Sequence, residues 1–144
     1  MQKQRLVIIG NGMAGARLVE EVVARGGRER YEIIVFGEEP YGNYNRILLS
    51  GVLAGSNDPT NIFLNALAWY HENGIQLHAG TRVQRIDPAA KCVYAADGTV
   101  VAYDKLVLAT GSSPVVPNLQ NLSTEQGKWL PGVFVFRTMD DCNA

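Results

Sequence analysis

The hexamer GNGMAG, Gly10 to Gly15, constrains this chain more than any other segment, because of what flanks it. Before it, RLVII from Arg5 to Ile9 is a short apolar run ended by glycine, the pattern of a buried strand. After it, Ala14, Leu18 and Val22 recur at helical spacing with Val19 and Val23 beside them, which predicts one apolar helix face. Gly26-Gly27 ends that helix. YEIIVFG, Tyr31 to Gly37, reads as a second buried strand. Strand, glycine turn, helix, strand is a βαβ unit, and its two strands must run parallel.

The hexamer fits G-x-G-x-x-G. Alone that pattern is weak, but between a strand and a helix it is specific for a dinucleotide. Gly10 makes the tight turn, Gly12 lets the backbone approach a pyrophosphate, and Gly15 lets helix and strand pack closely. The helix N-terminus, which includes Met13 and Ala14, supplies free N–H groups and partial positive charge to phosphates. Such a unit carries an acid after its second strand to hold ribose hydroxyls. Here Gly37 follows the strand directly and the acids come next. Glu38, 23 residues past Gly15 and close to the usual spacing of about 20, is the better candidate, with Glu39 as the alternative.

The middle of the chain is less regular. GSNDPTN, Gly55 to Asn61, is turn chemistry, and a helix is predicted from about Leu64 to Glu72, with Leu67 and Tyr70 or Ala66 and Trp69 facing inward. Ile75 to His78 reads as a third strand. The pattern then changes to a small antiparallel meander over roughly Arg82–Asp87, Lys91–Ala95 and Thr99–Ala102, with turns at Pro88-Ala89-Ala90 and Asp97-Gly98. Leu106 to Ala109 returns as a buried strand parallel to the first. Beyond Gly111 the chain is rich in proline and polar residues up to Pro131. GVFVFRT, Gly132 to Thr138, predicts one more strand, and a helix is expected from Met139 onward.

Composition excludes several classes. The 144 residues are 47% hydrophobic and 19% charged, as a folded chain with a core requires. The net charge of −1 offers no polyanion-binding surface, so no nucleic-acid partner is expected. The apolar run at Leu6 to Ile9 is too short for a signal-peptide core, and no stretch could span a bilayer. No membrane association is expected, and a cytoplasmic location is. Cys92 and Cys142 lie 50 residues apart with no CxxC or metal-ligand spacing, and read as reduced thiols. His71 and His78 have no acidic or cysteine partner at triad or metal spacing and are taken as non-catalytic.

LVLATGSSPVVP, Leu106 to Pro117, together with GNGMAG and the meander, resembles the FAD-binding half of the two-dinucleotide flavoprotein disulfide reductase-like family. The resemblance implies an α/β, Rossmann-like FAD-binding domain, a parallel sheet plus a three-stranded antiparallel β-meander. It also implies that Ala109, Thr110 and Gly111 close over the FAD. EEPYGNYNRILLSGVLAG is similar to the N-terminal FAD-binding part of NAD(P)H-dependent assimilatory nitrite reductase large subunits. By that resemblance Tyr41 to Gly51 lies along the FAD, and Arg46 pairs with the pyrophosphate or orders the flavin pocket. Tyr44 provides a flat wall, and Ile47 to Leu49 begin a short helix.

True disulfide reductases carry a redox cysteine pair in this segment, and single-cysteine relatives place a cysteine just before a glycine. Here Ser50 precedes Gly51, and serine cannot exchange thiol and disulfide. The resemblance therefore implies electron flow from NAD(P)H through flavin to a metal centre elsewhere, with no catalytic acid, base or nucleophile on this chain. NAD(P)H, sirohaem and an iron–sulfur cluster are expected only with further domains of a full-length protein. This chain is expected to be a fragment of that protein. Residues 1–117 are the expected first segment of the FAD-binding domain, and 118–144 a connector toward an NAD(P)H-binding domain. A flavin-dependent reductase of a ferredoxin or rubredoxin-type carrier, and a nucleotide-binding module without turnover, are the alternatives. An NAD-binding dehydrogenase is disfavoured by the meander and the ATG turn. Apolar surface left by absent strands makes self-association into a homo-oligomer a further expectation.

Overall fold

The computed structural model describes residues 2–120, 122 and 129–143. The chain divides into two compact units, Met1–Asn45 with Phe63–Gly111, and Arg46–Ile62 with Ser112–Ala144.

The first unit is built on the predicted βαβ. Strand β1 (Gln4–Ile9), helix α1 (Met13–Ala24) and strand β2 (Tyr31–Gly37) follow one another, and β1 pairs parallel with β2. Strands β3 (Asn43–Tyr44) and β4 (Phe63–Asn65) form a two-stranded antiparallel ribbon. After α2 (Leu49–Leu53), which belongs to the other unit, helix α3 (Leu67–Glu72) and strand β5 (Gln76–Ala79) come next. Strands β6 (Val83–Asp87), β7 (Cys92–Ala95) and β8 (Val100–Ala102) make the antiparallel meander, and β9 (Lys105–Leu108) returns to pair parallel with β1. The main sheet has the order β5-β2-β1-β9. All its strands are parallel, and the order in which they are added reverses at β1, from β2 and β5 on one side to β9 on the other, the kind of switch point where open α/β sheets bind ligands beyond the carboxyl ends of their strands.

Alternation along β1 and β2 sorts the core into two layers. Leu6, Ile8, Ile33 and Val35 pack with Val19 of α1, Tyr70 of α3 and Ile75. Val7, Ile9, Ile34 and Phe36 pack with Val93 and Ala95 of the meander. A parallel sheet needs both faces covered. Here helices cover one face and the meander, in place of a crossover helix, covers the other.

In the second unit a 3₁₀ turn (Arg46–Leu48) leads into helix α2 (Leu49–Leu53), and further 3₁₀ turns lie at Pro59–Ile62 and Asp140–Cys142. Among its described residues, Leu49, Ile62 and Met139 are the buried apolar ones. No helix among the described residues is long and apolar enough to cross a membrane.

Four expectations need correction. On α1, Val19 is buried and Leu18, Val22 and Val23 pack against the core as expected, but Ala14 is exposed, and Gly15 and Ala16 are buried in its place. The helix expected from Leu64 starts at Leu67, because Phe63–Asn65 pairs with β3 instead. Of its candidate inward residues Tyr70 is buried and Leu67 is exposed. Residues 133–137 form no strand; no neighbouring strand pairs with them among the described residues, and an apolar run without a partner edge does not make a ladder. The helix expected from Met139 is a single 3₁₀ turn.

Candidate functional site

The carboxyl end of the main sheet gathers the two motifs that the sequence separates by about a hundred residues. The Gly10 N–H donates to the Phe36 carbonyl at 2.8 Å, and the Ala109 N–H to the Ile9 carbonyl at 2.8 Å, so the turn is hung between β2 and the end of β9. Gly10 has φ of 112°, and a Cβ there would overlap the Ala109 carbonyl. A Cβ at Gly15 would overlap the Gly10 carbonyl and sit 3.4 Å from the Ala109 Cβ. Gly10, Gly15, Ala109 and Thr110 are therefore mutually packed. Gly111 takes φ of 73°, a left-handed conformation that turns the chain away after the motif.

Gly12 differs. Its φ of −75° and ψ of −174° suit any residue, and a Cβ there would meet nothing within 4 Å. No intramolecular contact demands glycine at this position. The helix it caps has no side-chain cap and no acid in its first turn, so the N–H groups at its start, Met13, Ala14 and Gly15 among them, face their position without an internal carboxylate or hydroxyl. Open space over a glycine at an uncapped helix N-terminus is what a phosphate requires.

The two candidate acids part company. The Glu38 carboxylate is exposed and receives a bond from the Arg82 guanidinium at 3.3 Å. Glu39 accepts the Tyr44 hydroxyl at 2.6 Å, and the Tyr44 ring lies edge-on to Phe63 at 6.0 Å between centroids. Tyr44 is thus buried against β4 and occupied with Glu39.

Arg46, in the second unit, donates to the Arg137 carbonyl at 2.8 Å. The turn it meets is organised by Asp141, whose carboxylate accepts the N–H groups of Arg137 and Thr138. Burial works to raise the Asp141 carboxyl, but those two N–H donors, with the Thr138 hydroxyl and the nearby Arg46 charge, hold it below the ordinary carboxylate range. In the same unit the Cys142 thiol lies 3.8 Å from the Leu49 carbonyl, and burial together with the Asp141 charge pushes it up, away from a reactive thiolate. Cys92 is also a free thiol.

Sequence reasoning gave no site role to Asn11, to Asn43 or to Tyr70, which it expected only as an inward-facing residue. The Tyr70 hydroxyl donates to the Asn11 Oδ1 at 2.7 Å, and the Asn43 Nδ2 to the Asn11 carbonyl at 3.2 Å. Burial pushes the Tyr70 hydroxyl up to about 12. The signal available in the sequence was two asparagines each following a glycine, Gly10-Asn11 and Gly42-Asn43; a Cβ at Gly42 would overlap the Asn65 carbonyl. His78, stacked on Phe36 at 4.6 Å, has a buried Nε2 with no partner among the described residues.

A parallel sheet with helices on one face, opening its first helix on a glycine turn, places the chain in the Rossmann-like class of dinucleotide-binding proteins. The chain belongs to the pyridine nucleotide-disulphide oxidoreductase family, whose profile it matches over residues 4–144. It is 45% identical over 144 residues to the assimilatory nitrate reductase electron transfer subunit of Bacillus subtilis, covering all of this chain and 18% of that protein. It is 41% identical over 141 residues to a nitrite reductase [NAD(P)H] of the same organism, covering 98% of this chain and 17% of that protein. Among solved structures it is similar to the covalent putidaredoxin reductase–putidaredoxin complex, with a TM-score of 0.85 at 30% identity, covering 99% of this chain and 33% of that one. The chain thus spans under a fifth of the length of these two Bacillus relatives.

Proposed function

We propose that this chain is the FAD-binding segment of a flavin-dependent oxidoreductase that draws on NAD(P)H and passes electrons to a metal centre in other domains, as in a nitrite reductase large subunit. The observation that carries the reading is Gly12, a glycine with no internal reason to be one, set over open space at an uncapped helix N-terminus. In this reading the N–H groups at Gly12, Met13, Ala14 and Gly15 hold the diphosphate. Glu38 takes the adenosine ribose hydroxyls, and Glu39, already accepting from Tyr44, has the weaker claim. Gly10 and Gly15 keep the turn in shape against Ala109, and Thr110 and Gly111 carry the backbone past the flavin side. Arg46 is assigned to the pyrophosphate or flavin pocket on the sequence resemblance. When bound, the FAD would supply hydride acceptance and one-electron release, chemistry that no side chain here provides. NAD(P)H, sirohaem and iron–sulfur chemistry belong, in this reading, to further domains, which are then the partners of this chain.

The 45% identity to a nitrate reductase electron transfer subunit favours a second reading, in which the acceptor centre lies in a separate reductase protein. The 30% identity to a putidaredoxin reductase complex is in line with such a carrier-directed enzyme. The site on this chain is the same in each.

The test is the visible spectrum of the purified chain after incubation with FAD and removal of excess, with ADP binding measured in parallel. A retained flavin band, or tight ADP binding, that is lost in Gly12→Val while urea stability holds within about 1 kcal/mol supports the reading. Failure of the folded wild-type chain to bind either ligand overturns it.

A further inference from the structure

We propose that Tyr70, Asn11 and Asn43 form a positioning unit that aims the Gly12 N–H at the ligand, and so sets affinity for the diphosphate separately from affinity for the nucleoside. This rests on the reading of the glycine turn as a diphosphate site and adds what holds that turn ready.

Asn11 occupies the first variable position of the glycine hexamer, yet its side chain points back into the protein. The Tyr70 hydroxyl donates to its Oδ1 at 2.7 Å, and the Asn43 Nδ2 donates to its backbone carbonyl at 3.2 Å. From a third side β2 presses close, since a Cβ on Gly37 would come within 3.0 Å of the Asn11 Cβ. Residue 11 is therefore held at both its side chain and its carbonyl by α3 and β3.

The carbonyl is the informative bond. The Asn11 C=O and the Gly12 N–H belong to one planar trans peptide and point in opposite directions. Holding the carbonyl against Asn43 turns the N–H outward, on the side away from β3. On the side where Gly12 would carry a side chain nothing lies within 4 Å, so no packing there fixes this peptide.

The arrangement is kept against an adverse feature. Asn43 is 1% exposed, and its Oδ1 is buried with no partner among the described residues. Its amide cannot be turned over to relieve this, because the oxygen would then face the Asn11 carbonyl oxygen. A buried amide with one half unmatched is poor core material. Its Nδ2 bond to Asn11 is what it contributes.

The experiment compares ADP and adenosine binding to the 144-residue chain by NMR titration, in wild type, Asn43→Leu and Tyr70→Phe. Leucine keeps the apolar bulk and removes the donor; phenylalanine keeps the ring and removes the hydroxyl. The proposal expects ADP affinity to fall about tenfold in each folded variant, while adenosine affinity changes by less than about twofold. Equal losses for both ligands would mean general loosening and overturn the positioning role, as would unchanged ADP affinity. If Asn43→Leu does not fold, Tyr70→Phe decides alone. Wild-type chain that binds neither ligand overturns the diphosphate site itself, and this proposal with it; wild type that binds ADP beside variants with an unaltered ADP-to-adenosine ratio overturns only the proposal.

Discussion

The two compact units hold their chains in different ways. In the first, parallel and antiparallel ladders satisfy the backbone, and two apolar layers pack on the faces of one sheet. In the second, single polar groups organise loops. The Gly51 carbonyl accepts the N–H groups of Ser56 and Asn57, the Asp141 carboxylate accepts those of Arg137 and Thr138, and Arg46 reaches the Arg137 carbonyl. Large apolar side chains there stay exposed, Val115 at 93% and Phe134 at 68%. The first unit should therefore respond to changes of volume, and the second to changes of charge.

The largest expected effect comes from Gly15→Val, because the new side chain meets the Gly10 carbonyl, part of a turn that cannot move without breaking β1 from β9. It should destabilise the chain by about 3 kcal/mol or more in urea unfolding. A loss no greater than that of Gly12→Val would erase the distinction between a packing glycine and a ligand glycine on which the site rests.

Next comes Tyr70→Phe, expected to destabilise by about 2 kcal/mol, since it strands the part-buried Asn11 Oδ1. It carries a pH signature. Burial raises the Tyr70 hydroxyl from 10.0 to about 12, with Glu20 adding to the shift. A raised folded pKa gives stability that is full below the unfolded value and is lost as pH climbs toward the folded one. Wild type should lose stability between pH 10.0 and about 12, and Tyr70→Phe should show a shallower loss over that window. Equal slopes would show that Tyr70 is less buried than described.

Arg46→Ala tests the other unit. Removal of its bond to the Arg137 carbonyl should weaken local order by about 1 kcal/mol. Amide exchange should quicken around residues 137–141 and stay unchanged in β1 and β2. Uniform acceleration would mean that the chain behaves as one cooperative body.

The smallest effect is expected in acid. The Asp141 carboxyl is held below its ordinary 3.8, so its contribution is present above that value and is lost as pH falls below it. Asp141→Asn should already lack that contribution at neutral pH and show no further loss of exchange protection at residues 137–141 on acidification. Parallel acid responses of the two proteins would remove Asp141 from the account.

Much of the first unit was legible in the sequence because its signals are local. Alternation, glycine punctuation and strand length are visible over a few neighbours, and they placed β1, β2, the meander and β9 within a residue or so. The same reading failed at residues 133–137, where an apolar run is present but no strand pairs with it among the described residues. It also failed at β4, because the preference for β3 over a longer helix is decided by a strand twenty residues earlier in the chain.

By itself the sequence determined the glycine turn, the parallel strands around it and the candidate set from Gly10 to Gly15 with Ala109, Thr110 and Gly111, since each is written in contiguous residues. Only the tertiary structure decided which glycine is held by packing and which faces open space. It also decided that Tyr44 engages Glu39, and that Asn11 is held by residues 32 and 59 positions away. The physical reason is range. Backbone preference acts between neighbours, whereas the orientation of a single peptide in the glycine turn is set by hydrogen bonds that exist only once the elements around it have packed.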